Sequence, residues 1–345
     1  MAFRAAEYER FRDTRSRVPA WWPICTATWR RGWSSRWVRL ITWGVLAMSF
    51  GLTAMFYFAY QVMPNWPSIL RMVGEEGGLE SGFPIQFYEG LLVVFVYPVL
   101  LPLALLFGYD LVSKDLASNA LETYFSRPVT PLVYVVGRTL AYVGFLLLVT
   151  LLPMLWIWLF DASTGPEGRF EEIRGVPLAL AEALGLVSLV LALLVQALSS
   201  ITRSGIWTNL AFVVLFVFST ATGNILYEES GRRIEVELSP EEVDAAMALP
   251  GSVHVDGERA TRVYWGERDA RLLALSFPND IAAWCTSRIE RAYPDEVIEQ
   301  REERRKRRRR DDRVPDGLAT QVLLAAGGLS LLLLFLRLRK RGTVG

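Results

Sequence analysis

Side chains able to do covalent chemistry are scarce in this sequence. His254 is the only histidine, so neither an H-E-x-x-H zinc site nor a Ser-His-Asp triad within an apolar segment can be assembled. No G-x-x-x-x-G-K-[ST] run and no G-x-S-x-G elbow occurs, so the chain has no P-loop of its own and no hydrolase nucleophile of that kind. Cys25 and Cys285 are the two cysteines, and the expected topology puts them on opposite sides of a membrane, unable to pair. What remains is charge placed where charge is costly. Its densest instance is 110–138, DLVSKDLASNALETYFSRPVTPLVYVVGR, a charged stretch between two apolar runs. Such a stretch has the look of a docking element and carries no catalytic pattern. Glu89 and Glu182 fall at the ends of apolar runs. They are either groups on a pathway through the membrane or groups that reach water and headgroups.

The elements that position these residues follow from hydropathy. Of the 345 residues, 52% are hydrophobic and mean hydropathy is +0.26, but the apolar residues are gathered into runs separated by charged blocks. A spanning helix needs roughly 20 apolar residues. Six runs qualify, at about 38–62, 87–109, 131–160, 176–201, 206–227 and 318–336. Pro98 and Pro102 should kink the second. Gln196 and Asn209 lie deeper than the glutamates and are expected to bond neighbouring helices. The N-terminus is too polar for a signal peptide, so the first span should stay as an anchor.

Short basic flanks orient the spans. Arg30, Arg31, Arg36 and Arg39, then Lys114, Arg127 and Arg138, then Arg203, then Arg337, Arg339, Lys340 and Arg341 all fall on one side. The expected protein is multi-pass in the cell (inner) membrane with both termini cytoplasmic. The run REERRKRRRR at 301–310 opposes this, because it lies outside in the six-span scheme; a rival topology places 228–317 inside. Its interleaved acids suit a solvated helix, and no nucleic acid is expected as partner.

The predicted fold is an all-α polytopic membrane protein with a small α+β extracytoplasmic insert. It divides into a cytoplasmic N-terminal region (1–37), spans one to five (38–227), the insert (228–317), and the last span with a basic tail (318–345). Within the insert, 234–238 and 252–265 alternate like strands, with Asp256-Gly257 as a hairpin signal. Residues 239–249 carry a capping box, and 294–313 suit a charged helix. Residues 272–289 are amphipathic and are expected along the outer membrane surface.

Over 110–127 a helix would place Leu111, Val112, Leu116, Ala120, Leu121, Tyr124 and Phe125 on one face. Ser113, Lys114, Ser118, Asn119 and Glu122 would occupy the other, with Asp115 at its edge and Asp110 capping the start. Pro128 ends the helix at Arg127. Thr130 then caps the next one, with Pro131 at its first position. Pattern alone leaves two readings open: a docking element, or a helix resting on lipid. Trp21, Trp22, Trp29, Trp33 and Trp37 precede span one and should anchor it at the interface.

The run Asp110…Ser113…Asp115…Leu121…Ser126-Arg127-Pro128-Val129…Tyr134…Gly137-Arg138 resembles the loop between spans two and three of ABC transporter permeases of the type-2 family. The nearest group is that of nitrous-oxide-reductase maturation, sodium-export and gliding-motility permeases. Trp22-Pro23-Ile24…Thr28-Trp29-Arg30-Arg31…Ser35-Arg36 resembles the amphipathic connecting helix of these proteins. The insert is larger than the family pattern. The resemblance implies a non-catalytic permease subunit, an exporter or mover of a substrate, driven by a separate cytoplasmic ABC ATPase. ATP and Mg would sit on that partner and no cofactor on this chain. Helix 110–127 would be the coupling helix, docking through Asp110, Ser113, Lys114, Asp115, Asn119, Glu122 and the elbow Ser126, Arg127, Pro128. A second permease copy or a related permease would complete a dimer. The alternative is a non-transporting scaffold that relays ATPase motion to an extracytoplasmic protein through 228–317.

Overall fold

The computed structural model describes residues 19, 21–62, 83, 85–118, 130–202, 204–230, 233–238, 253–256, 259–265, 270–294, 298 and 314–342. Among them six helical segments are long and apolar enough to cross a membrane: Arg36–Val62, Ile85–Ala117, Pro131–Thr164, Arg169–Ile201, Gly205–Glu229 and Gly317–Leu338. The chain is a multi-pass membrane protein, and these are spans one to six. In the most apolar stretch of spans two and four, 56% and 61% of residues are buried, against 22% in span one and 17% in span five. Spans two and four therefore form the centre. Spans one and five turn Trp43, Phe50, Ile206 and Phe218 outward, as helices facing lipid do.

Proline shapes span two. Its helix Ile85–Phe95 passes through a π-helical turn, Val96–Leu100, into Leu101–Gly108. Pro98 lies in that turn. A proline lacks the N–H and its ring collides with the preceding turn, so one wider turn absorbs it. The expected kink is thus a π bulge.

An N-terminal helix, Trp21–Ser34, precedes span one and turns into it at Ser35, whose backbone is extended. It packs along the start of span three. Gly137 makes this possible: a Cβ there would stand 3.3 Å from the Trp21 carbonyl oxygen. The apolar face of the N-terminal helix is thus shared between span three and the exterior.

Three strands, β1 (Arg233–Leu238), β2 (Val253–Asp256) and β3 (Arg259–Trp265), form an antiparallel sheet in the order β1-β3-β2. The β2–β3 pairing ends at Asp256 opposite Arg259, beside the Asp256-Gly257 signal, and His254 lies on β2. The proposed helix at 239–249 and the basic run 301–310 fall outside the described residues.

Residues 272–289 differ from their surface expectation. A 3₁₀ helix, Ala270–Leu275, runs along span five, and a second helix, Phe277–Glu290, leads back. Ser219 of span five accepts from the Phe277 N–H at 2.7 Å and donates to the Leu275 carbonyl at 2.8 Å. Tyr97 of span two donates to the Pro278 carbonyl at 2.7 Å. At the other end, a Cβ on Gly175 would meet the Ala292 carbonyl at 2.6 Å, so the helix finishes beside the start of span four. At about 1.5 Å per residue, Tyr97 and Ser219 lie roughly 15–18 Å inside their spans. The segment therefore dips into the bundle beside these spans, about two-fifths of the way along them, as a re-entrant segment does. Its amphipathic pattern arises because Phe277, Ile281, Trp284, Cys285 and Ile289 bury against other helices rather than against lipid.

Candidate functional site: a clamped elbow and a buried carboxylate lock

Span two does not run on as a single helix from 110. After Gly108 the chain turns through Tyr109–Val112 and re-forms only a short elbow helix, Ser113–Ala117, with Ser118 in a turn. Ser199 at the end of span four holds that turn. Its hydroxyl accepts from the Val112 and Ser113 N–H groups at 3.2 and 2.9 Å and donates to the Tyr109 carbonyl at 3.3 Å.

This turn rotates the elbow helix, and two expected docking residues face inward as a result. Ser113 and Asp115 are 1% and 3% exposed, which corrects the placing of Ser113 on the open face and of Asp115 at its edge. Asp115 Oδ2 accepts from Arg138 Nη2 in a buried ion pair and from the Tyr134 hydroxyl at 2.7 Å. Arg31 of the N-terminal helix stands 3.8 Å from Asp115 Oδ1, and Arg138 Nη1 donates to Thr28 Oγ1 at 3.3 Å. Charge-assisted bonds of this kind are about twice as strong as neutral ones. One carboxylate thus joins the elbow helix, the N-terminal helix and the first turns of span three.

Further ties brace the same joint. The Cys25 thiol donates to the Gly137 carbonyl at 3.1 Å, and Trp29 Nε1 to the Ala141 carbonyl at 2.6 Å. Thr130 caps span three, accepting from the Val133 N–H at 3.3 Å, with Pro131 in the first turn; both were expected from sequence. Among the described residues of the elbow helix and its turn, Lys114, Ala117 and Ser118 are exposed. Asp110 does not cap; its carboxylate pairs with Lys114 at 2.8 Å one turn on. Asn119, Glu122, Ser126, Arg127 and Pro128 lie outside the described residues. Trp22, Trp29, Trp33 and Trp37 are exposed and Trp21 is half-buried, a placement that suits an interfacial anchor.

The opposite end of span three carries a second cluster that sequence reasoning missed. Asp161 is fully buried, and Tyr60 and Tyr88 donate to its two oxygens at 2.6 and 2.7 Å. Arg169 donates to Oδ2 through Nε at 3.2 Å and Nη2 at 2.8 Å. Arg169 also reaches the Phe83 carbonyl at 2.8 Å and Glu172 at 3.0 Å. Span one supplies Tyr60, span two Tyr88, span three Asp161 and span four Arg169, so four spans close on one carboxylate. A carboxylate has about four acceptor sites; Oδ2 takes three of these donors and Oδ1 one. The cluster is a lock that ties four spans through one balanced charge.

Backbone geometry brings Arg169 back onto Asp161. Gly168 has φ +85°, a left-handed conformation that glycine adopts without strain. The legible signal was an Asp and an Arg bracketing a Gly-Pro-Glu-Gly turn. Asp161 and Arg138 are separated along span three by roughly 35 Å at ~1.5 Å per residue. That is about the hydrocarbon thickness plus a margin, the spacing of two clusters at opposite boundaries of a membrane.

The remaining singled-out residues are quieter. Glu182 lies 3.2 Å from Arg288 of the re-entrant helix, with its side chain 45% exposed; such pairs contribute little. Glu89 is half-buried near the start of span two. Gln196 donates to Thr139 at 3.3 Å, linking spans four and three. Among the described residues no group of three metal-binding side chains occurs. Cys25 and Cys285 are free and buried, and burial pushes both thiols up. The folded protein should therefore react slowly with maleimide at neutral pH, and denaturant should expose two thiols. Fast labelling of both before unfolding would contradict this packing.

No family model matches the chain, and no curated protein matches it.

Proposed function

We propose that this chain is the membrane subunit of an ABC transporter, moved by a separate cytoplasmic ATPase that docks on the elbow. The observation that supports it most is the Asp115–Arg138 clamp. A short helix pinned by a buried ion pair to span three and to the N-terminal helix moves with them. A push on its open Lys114–Ser118 edge is then delivered to the spans instead of being lost in a hinge. That is what a rigid-body switching mechanism requires. In this reading the elbow end faces the cytoplasm, and the sheet-bearing insert faces outward. ATP and Mg bind the partner, and this chain alone hydrolyses no nucleotide. The outward apolar faces of spans one and five meet lipid or a second copy.

Lys114→Glu combined with Ser118→Arg should cut co-purification of the ATPase at least about tenfold, equal to ~1.4 kcal/mol of binding. Glu122→Ala and Arg127→Ala should act in the same direction. The melting temperature of the isolated chain should stay within a degree or two of the parent, because both described positions are solvent-facing. Unchanged co-purification in all three variants would refute docking at the elbow.

A second reading, transmission of motion to an outside protein, draws on one observation. The insert leads into the re-entrant helix, whose contacts reach spans two, four, five and six, so the insert and the bundle are mechanically joined. Solute movement by reconstituted vesicles holding the chain and its ATPase would favour transport. ATP-dependent release of a bound outer protein without solute movement would favour transmission.

A further inference from the structure

Asp161 is held by four donor contacts, whereas Asp280 has none among the described residues. Asp280 sits in the first turn of the re-entrant helix, fully buried, and neither carboxylate oxygen has a hydrogen-bond partner among the described residues. Its polar neighbours are engaged elsewhere. Tyr97 donates to the Pro278 carbonyl, and Asn279 Nδ2 donates to Asn224 Oδ1 at 3.2 Å. An ionised carboxylate in such a place is strongly disfavoured, because it has lost its water and gained no donor. The positive end of the helix dipole offsets only part of that cost. Burial accordingly holds the carboxyl well above the usual carboxylate range.

The charged and titratable groups around it offer no relief. Span two brings Tyr97. Span four brings Glu182, already paired with Arg288. Span five brings Tyr227 and Glu228, and the 3₁₀ helix brings Arg271. Span six has no charged residue from 317 to 336. The re-entrant helix itself adds Cys285, Arg288 and Glu290. The raised carboxyl has burial as its cause, with no neighbouring charge contributing. A hard cation needs about six oxygen ligands, and among the described residues the only unpartnered oxygen besides Asp280's own in that first turn is Ser276 Oγ. A proton needs only one.

A way out lies one helix position away. Asn279, Ala282, Ala283 and Thr286 form a stripe along the re-entrant helix and line a cavity of about 520 Å³, which Asn224 and Glu228 also border. Consecutive residues are about 100° apart on a helix, so a turn of the helix by roughly 60–100° would carry Asp280 into this polar space. We infer that Asp280 is a proton-binding site: as a neutral acid it seats the re-entrant helix, and on losing its proton it turns that helix toward the cavity. The O–H bond breaks, the proton passes to water, and the electron pair stays on a carboxylate that the cavity can hydrate. The seated state binds the proton more tightly than the turned state, so raising the pH favours turning. This inference is independent of any ATPase.

Two readouts on the full-length protein test it. Infrared spectra at pH 7 should show a protonated carboxylic-acid band that is missing in Asp280→Asn. Identical carboxyl regions in the two proteins would overturn the proposal. In a Cys25→Ser background, maleimide should label buried Cys285 faster as pH rises from 6 to 9. That increase should exceed the one in Asp280→Asn by about tenfold, the change in protonation per pH unit. Matching pH profiles would equally overturn it. Asp280→Glu should restore both signals, which separates loss of the proton site from misfolding.

Discussion

Arg169→Met destabilises the protein by about 3–5 kcal/mol, the cost of leaving a buried charge without its partner. Asp161 would keep its two tyrosine donors but lose the cation that balances it, at a fully buried site. In a marginally stable protein such a loss is a large fraction of the total. Thermal melting in detergent should fall by many degrees, and expression with it. Asp161→Asn combined with Arg169→Met removes both charges and should recover most of the loss, since replacing a whole buried pair by neutral groups is often close to neutral. If the single and double variants melt alike, the cluster stabilises through packing rather than through charge pairing. Gly168→Val should mimic the single variant more weakly, because a β-branched residue is strained at φ +85°.

Asp115→Ala has a similar energetic scale and a different consequence. It leaves Arg138, 4% exposed, without the carboxylate that it pairs with, again at about 3–5 kcal/mol. The informative variant is the pair Asp115→Leu and Arg138→Leu. It should regain most of the stability, measured by melting, because neither charge remains buried. It should not regain ATP-driven function, because an apolar contact can slide where a directional ion pair cannot. Full activity in the double variant would show that the clamp is scaffolding without a part in coupling.

Hydropathy made the six spans legible, since lipid forces every spanning segment to be long, apolar and helical. The cap of span three was equally plain, because Thr130-Pro131 is a local signal that requires no tertiary partner. Tertiary contacts decided the rest. The face of the elbow was misjudged at Ser113 and Asp115, because the turn at Tyr109–Val112 depends on Ser199, almost ninety residues away. The same limit applied to residues 272–289. An amphipathic helix has one apolar stripe whether it lies on lipid or packs into a bundle, and only the contacts to Tyr97, Ser219 and Gly175 distinguish the two. The Asp161 lock draws its donors from three other spans, so the sequence displays only its Asp161–Arg169 half and not the tyrosines that complete it. The resemblance carried by the 110–138 run named a partner, and the clamp supplies a mechanical reason why a partner there would be effective.

The most direct test places a photoactivatable residue at Ser118, on the open edge of the elbow, and irradiates native membranes. Docking at the elbow predicts crosslinking to a P-loop ATPase of the ABC kind, abolished by Lys114→Glu in the same chain. Crosslinks only to lipid, with a P-loop ATPase found instead on the insert or nowhere, would contradict it.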